Sequence, residues 1–209
     1  VVTNMDEETE HLEANHWPRD IDREQIRPVP FSKEFYIERD DFREDPPDDF
    51  IRLAPGREVR LRYGYFFTCE EVVHGPDGSV AELRGTIDPE TRDGTAPDGR
   101  SPAGTIHWVS ADHGVPFEAR LYDRLFDIPA PDAGEDDFRE HLNDGSLVVR
   151  NGYVEPSIRD LPKDQRLQFE RTGYFWQDPS DSSDDHLVFN QIVPLRDAWT
   201  EDDDTIDLE

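Results

Sequence analysis

The chain has 209 residues, enough for one large domain or two small ones, and sets 50 acidic against 22 basic residues for a net charge of −28. No run of about 18 apolar residues could span a membrane, the single cysteine, Cys69, cannot form an internal disulfide, and no CxxC pair offers a zinc site, so a cytoplasmic, disulfide-free protein is expected. An acidic surface repels phosphate, so composition by itself speaks against nucleic acid. It fits a solvated surface suited to a salt-rich cytoplasm, where molar salt cuts the reach of repulsion to about 3 Å, or a module with a basic partner.

The opening VVTNMDEETE has no basic segment followed by an apolar one, so it is not a signal peptide, and its β-branched start reads as a cut into a strand. Residues 6–13, DEETEHLE, are acidic without an apolar stripe and read as weakly structured. Residues 30–38, PFSKEFYIE, read as a strand, followed by a short helix over 40–43. Residues 58–68, EVRLRYGYFFT, are the clearest strand, rich in aromatic and β-branched residues. HGPDGS at 74–79 is a hairpin turn, with Gly78 suited to a positive φ, and residues 80–87 are the returning strand. Further strands are expected over 104–110, 115–121, 146–153, 166–176 and 187–193, with a short helix at 134–142, a loop at 178–185 and an acidic tail at 200–209. Many short strands separated by Gly, Pro and Asp point to an all-β sandwich or barrel.

Catalytic signatures are missing: there is no Gly-rich phosphate loop, Rossmann fingerprint, HExxH or GxSxG. His107 and His113 flank a turn with Asp112 between them but lack a third ligand, and a packing or hydrogen-bonding role is expected for His107. Acidic pairs such as Asp40/Asp41 and Asp136/Asp137 are too common in this composition to mark a carboxylate dyad.

One stretch breaks the acidic background. FIRLAPGREVRLRYGYF, from Phe50 to Phe66, holds Arg52, Arg57, Arg60 and Arg62 against Glu58 alone. Side chains alternate along a strand, so Val59, Leu61 and Tyr63 should share one face and Arg60 and Arg62 the other. Paired guanidinium forks match phosphates and base edges, and Phe50, Tyr63, Tyr65 and Phe66 are available for bases to stack on. The competing reading pairs these arginines with surplus carboxylates.

Six blocks in order, PFSKEFYIERDDFRE, RLAPGREVRLRYGY, GTIHWVSADHGVPFEARLYDRLF, NGYVEPS, LQFERTGYFW and FNQIVPLRDAW, make the chain resemble the C-terminal half of bacterial glutaminyl-tRNA synthetases from about Pro30 to Trp199. The resemblance implies an all-β fold of two six-stranded antiparallel β-barrels: a proximal barrel from residues 1–46 and 127–199, a distal barrel inserted at 47–126, and an acidic tail at 200–209. It implies a partner, the anticodon loop of tRNA(Gln), read by Arg52, Arg60 and Arg62 and by Gln168 and Arg171. It also implies a monomer in which this chain carries no cofactor or metal, while ATP with Mg is used by a catalytic domain outside it, as is a further basic residue upstream of VVTN. Asp49 and Ile51 depart from the family's polar amide and lysine; a carboxylate and an alkyl group would weaken RNA contacts there, and neither is taken into the site. Trp108, Tyr122 and Phe126 are expected in the core. The other readings of the same residues are an acidic β-barrel for protein–protein interaction and the anticodon domain of a non-bacterial-type glutamyl-tRNA synthetase.

Overall fold

The spacing of turns along the chain determines where strands begin and end, and the computed structural model, which describes residues 1–17, 22, 25–133 and 137–195, contains strands joined by turns and short 3-10 helices. The chain is all-β. It divides into two units, Val1–Val115 with Tyr153–Ile158, and Pro116–Gly152 with Arg159–Glu209. Residues 35–37 and 108–110 pair with each other inside the first unit, so long-range pairing gathers residues on both sides of position 46 into one body.

In the first unit, β1 (Glu10–Asn15) pairs antiparallel with β2 (Ile26–Phe31), and β3 (Phe35–Ile37) pairs with β8 (Trp108–Ser110). β4 (Glu58–Leu61), β5 (Phe66–His74), β6 (Val80–Asp88) and β7 (Thr105–Ile106) form a four-stranded sheet in the order β6-β5-β4-β7. The β4–β7 ladder is parallel. β1 corrects the expectation of weak structure at 6–13: its inward residues, Leu12 and Ala14, are each 1% exposed, so a strand with only two apolar positions among acids is fixed by burial. The core joins these two to Val2, Phe31, Val59, Leu61, Phe67 and Trp108. Phe31 lies 5.0 Å from Trp108 and 5.3 Å from Tyr65, ring centre to ring centre.

The expected single strand at 58–68 is two strands. The chain reverses at Arg62–Gly64, where Tyr63 takes φ 62° and Leu61 N donates to Tyr65 O at 2.9 Å. The same happens at 166–176, where Arg171 takes φ 62° between β11 (Arg166–Phe169) and β12 (Gly173–Gln177). The hairpin at 74–79 forms as expected, with Gly78 at φ 80°.

The second unit holds most of a five-stranded sheet, β10-β9-β13-β12-β11, from β9 (Val115–Tyr122), β10 (Leu147–Val154), β11, β12 and β13 (Leu187–Pro194). β13 runs parallel to β9. Its core is aromatic: Phe169 stacks on Phe175 at 4.5 Å, and Phe117 and Phe189 meet Phe169 edge-on at 5.3 and 5.2 Å. The two expected helices are single 3-10 turns, Arg39–Asp41 and Phe138–His141, the latter capped by the Asp137 side chain. Residues 134–136 of the second expectation and the tail at 200–209 lie outside the described residues. Of the three aromatics expected in the core, Trp108 is 2% exposed, but Tyr122 is 51% exposed with its hydroxyl donating to Asn190 at 2.7 Å, and Phe126 is only half-buried against Phe138. Among the described residues no helix is long and apolar enough to cross a membrane, and no group of three or more His, Cys, Asp or Glu is arranged to hold a metal ion.

Candidate nucleic-acid interface

The β4–β5 hairpin carries Arg60 and Arg62, Arg52 and Arg57 lie ahead of it, and the four arginines have different surroundings. Arg52 lies just ahead of the Phe42–Leu53 bridge, with its Nε 3.3 Å from the Asp41 carboxylate, whose side chain is 4% exposed. Leu53 N also donates to Asp41 O at 2.9 Å, so one buried aspartate fixes both the arginine and the backbone beside it. Gly104 holds Arg52 from the other side. A Cβ there would stand 2.1 Å from Ile51 O and 3.2 Å from Arg52 Nη1, while Gly104 O accepts Arg60 N at 2.8 Å. Only a glycine permits that approach, and it ties the backbone of Arg60 to the side of Arg52.

Arg57 donates to the carbonyl of Phe50, whose ring lies 5.2 Å under the guanidinium of Arg43. Arg57 therefore braces the loop. Ile51 and Asp49, set aside in the sequence, are both exposed.

Arg60 stands on the outward side of β4, opposite Phe66 in the ladder, with its guanidinium 5.6 Å from that ring's centre. Its Nε is buried and has no hydrogen-bond partner, and Arg60 forms no ion pair among the described residues. Gly94 packs directly against it, a Cβ there standing 3.2 Å from Nε. The carboxyl of neighbouring Asp93 is held below its usual range first by the Thr95 hydroxyl and amide, with the charge of Arg60 adding to the effect. The same loop lines a hollow of about 410 Å³ with Glu90, Arg92, Asp93, Thr95, Ala96 and Pro97. Arg100 is the contrast. It lies 5.5 Å from the same Phe66 ring but is gripped by Glu58, Asp88 and Asp98, which raise its pKa.

Arg62 has left the strand for the turn. Its guanidinium lies 4.9 Å from the Tyr63 ring centre, with Nη2 3.5 Å from the Tyr63 hydroxyl. Its backbone is held on both sides, by N donating to Ile106 O at 3.0 Å and by Trp108 Nε1 donating to its carbonyl at 2.9 Å. Arg60 and Arg62 thus rest on different rings and do not form one comb. Two of the rings expected as stacking platforms are unavailable: Tyr65 is 4% and Phe66 1% exposed. Phe50 and Tyr63 are half-buried.

In the second unit, Gln168 faces outward on β11 opposite Tyr174, which is 42% exposed. Val193 lies beyond Tyr174 in the ladder and is 43% exposed. The result is an open face bearing an amide beside an exposed ring. Arg171 is half-buried at the hairpin tip two residues from β12. The first unit therefore holds Arg52, Arg60 and Arg62, and the second holds Gln168 and Arg171.

Sequence reasoning missed the groups that hold the arginines in place: Asp41, Gly94 and Gly104. The Tyr63–Gly64 dipeptide was the one local sign that the strand turns back there.

Residues 1–88 and 105–178 match two family models described as tRNA synthetases class I (E and Q), anti-codon binding domain. The chain belongs to this family. It is similar to glutamine–tRNA ligases: 52% identical over 200 residues to that of Nitrobacter hamburgensis, 46% over 201 residues to that of Rhodopirellula baltica, and 51% over 173 residues to that of Vibrio vulnificus. These matches cover 95%, 95% and 83% of the chain but only 35%, 33% and 31% of those proteins. The chain thus spans about a third of the length of the curated relatives it matches.

Proposed function

We propose that the chain grips the anticodon loop of tRNA(Gln) within a cytoplasmic glutamine–tRNA ligase, whose remaining part activates glutamine with ATP and charges the tRNA 3′ end. The observation that carries this reading is Arg60. In a chain with 50 carboxylates, its guanidinium has no ion pair among the described residues and its buried Nε has no partner. Buried polar atoms are almost always paired, so this fork is unusual, and its terminal nitrogens suit an anionic or guanine-edge acceptor.

Anticodon bases that are unstacked from the loop need hydrogen-bond donors at their edges and surfaces at their faces. Arg52, Arg60 and Arg62 supply donors, the first anchored by Asp41 and the other two resting on aromatic rings. On the second unit, the Gln168 amide both donates and accepts, as uracil requires, beside the exposed ring of Tyr174; Arg171 adds a fifth cationic or polar contact. Fixing the donors before the RNA arrives lowers the entropy lost on binding. The long-range field of a −28 chain opposes phosphate, so affinity depends on short-range contacts at these sites.

The test is fluorescence anisotropy of the chain with a labelled hairpin carrying the glutamine anticodon, against the same hairpin with the anticodon replaced. Saturable binding that depends on the anticodon supports the reading. Absent or anticodon-independent binding overturns it.

A further inference from the structure

Tyr63 is a bulky aromatic residue with φ 62°, a conformation glycine adopts without cost and aromatic residues rarely enter. Such strain persists where the surroundings over-determine it, typically at ligand clamps. The turn itself would be served by glycine, so the ring at this position has another use. Two guanidiniums rest on it, Arg62 at 4.9 Å and Arg27 at 5.7 Å from the ring centre. Arg27 is immobilised: its Nε and Nη2 donate to the two oxygens of Glu155 at 2.6 and 2.9 Å, and its Nη1 donates to Asn15 O at 3.1 Å. Both side chains of this pair are largely buried, at 17% and 16% exposure. A bidentate fork fixes the plane of the guanidinium as well as its place. Glu155 also neutralises Arg27, so the second guanidinium shares the ring without net repulsion.

We infer that Tyr63, braced by the Glu155–Arg27 pair, is a positioning residue that holds Arg62 in the geometry in which it meets RNA. The inference rests on the reading of Arg62 as an anticodon contact. Glu155, Arg27, Tyr63 and Arg62 form a continuous series within one unit, drawn from three separate parts of the sequence. The ring limits the rotamers of a long side chain, so less freedom is lost when the RNA binds.

The test measures anticodon-hairpin affinity for the wild-type chain, Tyr63→Gly, Tyr63→Phe, Arg62→Ala and the Arg62→Ala/Tyr63→Gly pair, with the unfolding temperature of each. Glycine keeps the left-handed backbone without strain, and phenylalanine keeps the ring. The expected result is about tenfold weaker binding by Tyr63→Gly, the size of a lost cation–π contact, and binding within about twofold of wild type by Tyr63→Phe. The double variant is expected to bind no more weakly than Arg62→Ala, because Tyr63 acts through Arg62. Wild-type affinity in Tyr63→Gly while Arg62→Ala binds weakly, or losses that multiply in the double variant, would overturn the inference. If Arg62→Ala itself binds like wild type, the assignment of Arg62 to RNA fails first and the inference goes with it.

Discussion

Arg60 lies 5.6 Å over the ring of Phe66, and Arg100 lies 5.5 Å from the same ring, yet among the described residues only Arg100 is tied to carboxylates. One ring therefore carries a cation engaged by the protein and a cation available to a ligand. Arg60→Ala should weaken hairpin binding by about 1–3 kcal/mol with little change in unfolding temperature. Arg100→Ala should do the reverse, lowering the unfolding temperature while leaving RNA affinity near wild type. Anisotropy titrations paired with thermal unfolding of both variants check this; equal losses of affinity would remove the distinction.

Gly104 sits where a Cβ would meet Ile51 O at 2.1 Å and Arg52 Nη1 at 3.2 Å. The obstacle is backbone, which cannot swing aside. Gly104→Ala should destabilise the chain by about 1–3 kcal/mol, the usual cost of overpacking. It should also weaken RNA binding more than Asp49→Ala, since it displaces both Arg52 and the strand carrying Arg60. Urea unfolding curves and hairpin titrations measure the two effects.

The Glu155 carboxyl is buried, which alone would raise its pKa, but the hydrogen bonds and charge of Arg27 outweigh burial and hold it below the ordinary glutamate value. A depressed carboxylate contributes stability in full above its unfolded-state pKa and loses it as pH falls through the folded value. Glu155→Gln should cost about 3 kcal/mol at neutral pH, as breaking a buried pair does. The gap between variant and wild type should then narrow as pH drops below the usual glutamate range. Thermal unfolding of both proteins from pH 7 to pH 3 gives this difference directly, with the shared charge of the chain cancelling. A gap independent of pH would contradict the ion pair's role.

A net charge of −28 makes folding self-repulsive. The screening length falls from about 10 Å at 0.1 M salt to about 3 Å at 1 M, so the unfolding temperature should rise across that range. RNA affinity should fall over the same range as counterion release weakens. Opposite slopes in the two measurements are expected; a flat stability profile would show that the acidic surface is indifferent to salt.

The sequence displayed some of this architecture and concealed the rest for identifiable reasons. The hairpin at 74–79 was legible because Gly78 marks its own turn. The reversals at Tyr63 and Arg171 were not, because both place a non-glycine residue at positive φ, and strongly β-forming neighbours then read as one strand. Leu12 and Ala14 are two apolar positions in an acidic run, too few to announce β1. The parallel ladders β4–β7 and β9–β13 join residues far apart in the chain, and no local pattern encodes that pairing. For the site, residue type was enough to single out the arginine stripe. What each guanidinium touches depends on the fold: Asp41 reaches Arg52 from a separate 3-10 turn, and Phe66 reaches Arg60 because the chain doubles back.

The most direct measurement is the dissociation constant of the chain for the glutamine-anticodon hairpin and for the same stem with a substituted anticodon, each repeated with Arg60→Ala. The expected result is saturable binding at least tenfold weaker for the substituted loop, with Arg60→Ala weakening the glutamine hairpin and narrowing that gap. Equal binding of the two hairpins, or a gap unchanged by Arg60→Ala, would contradict the assignment of this chain's arginines to the anticodon.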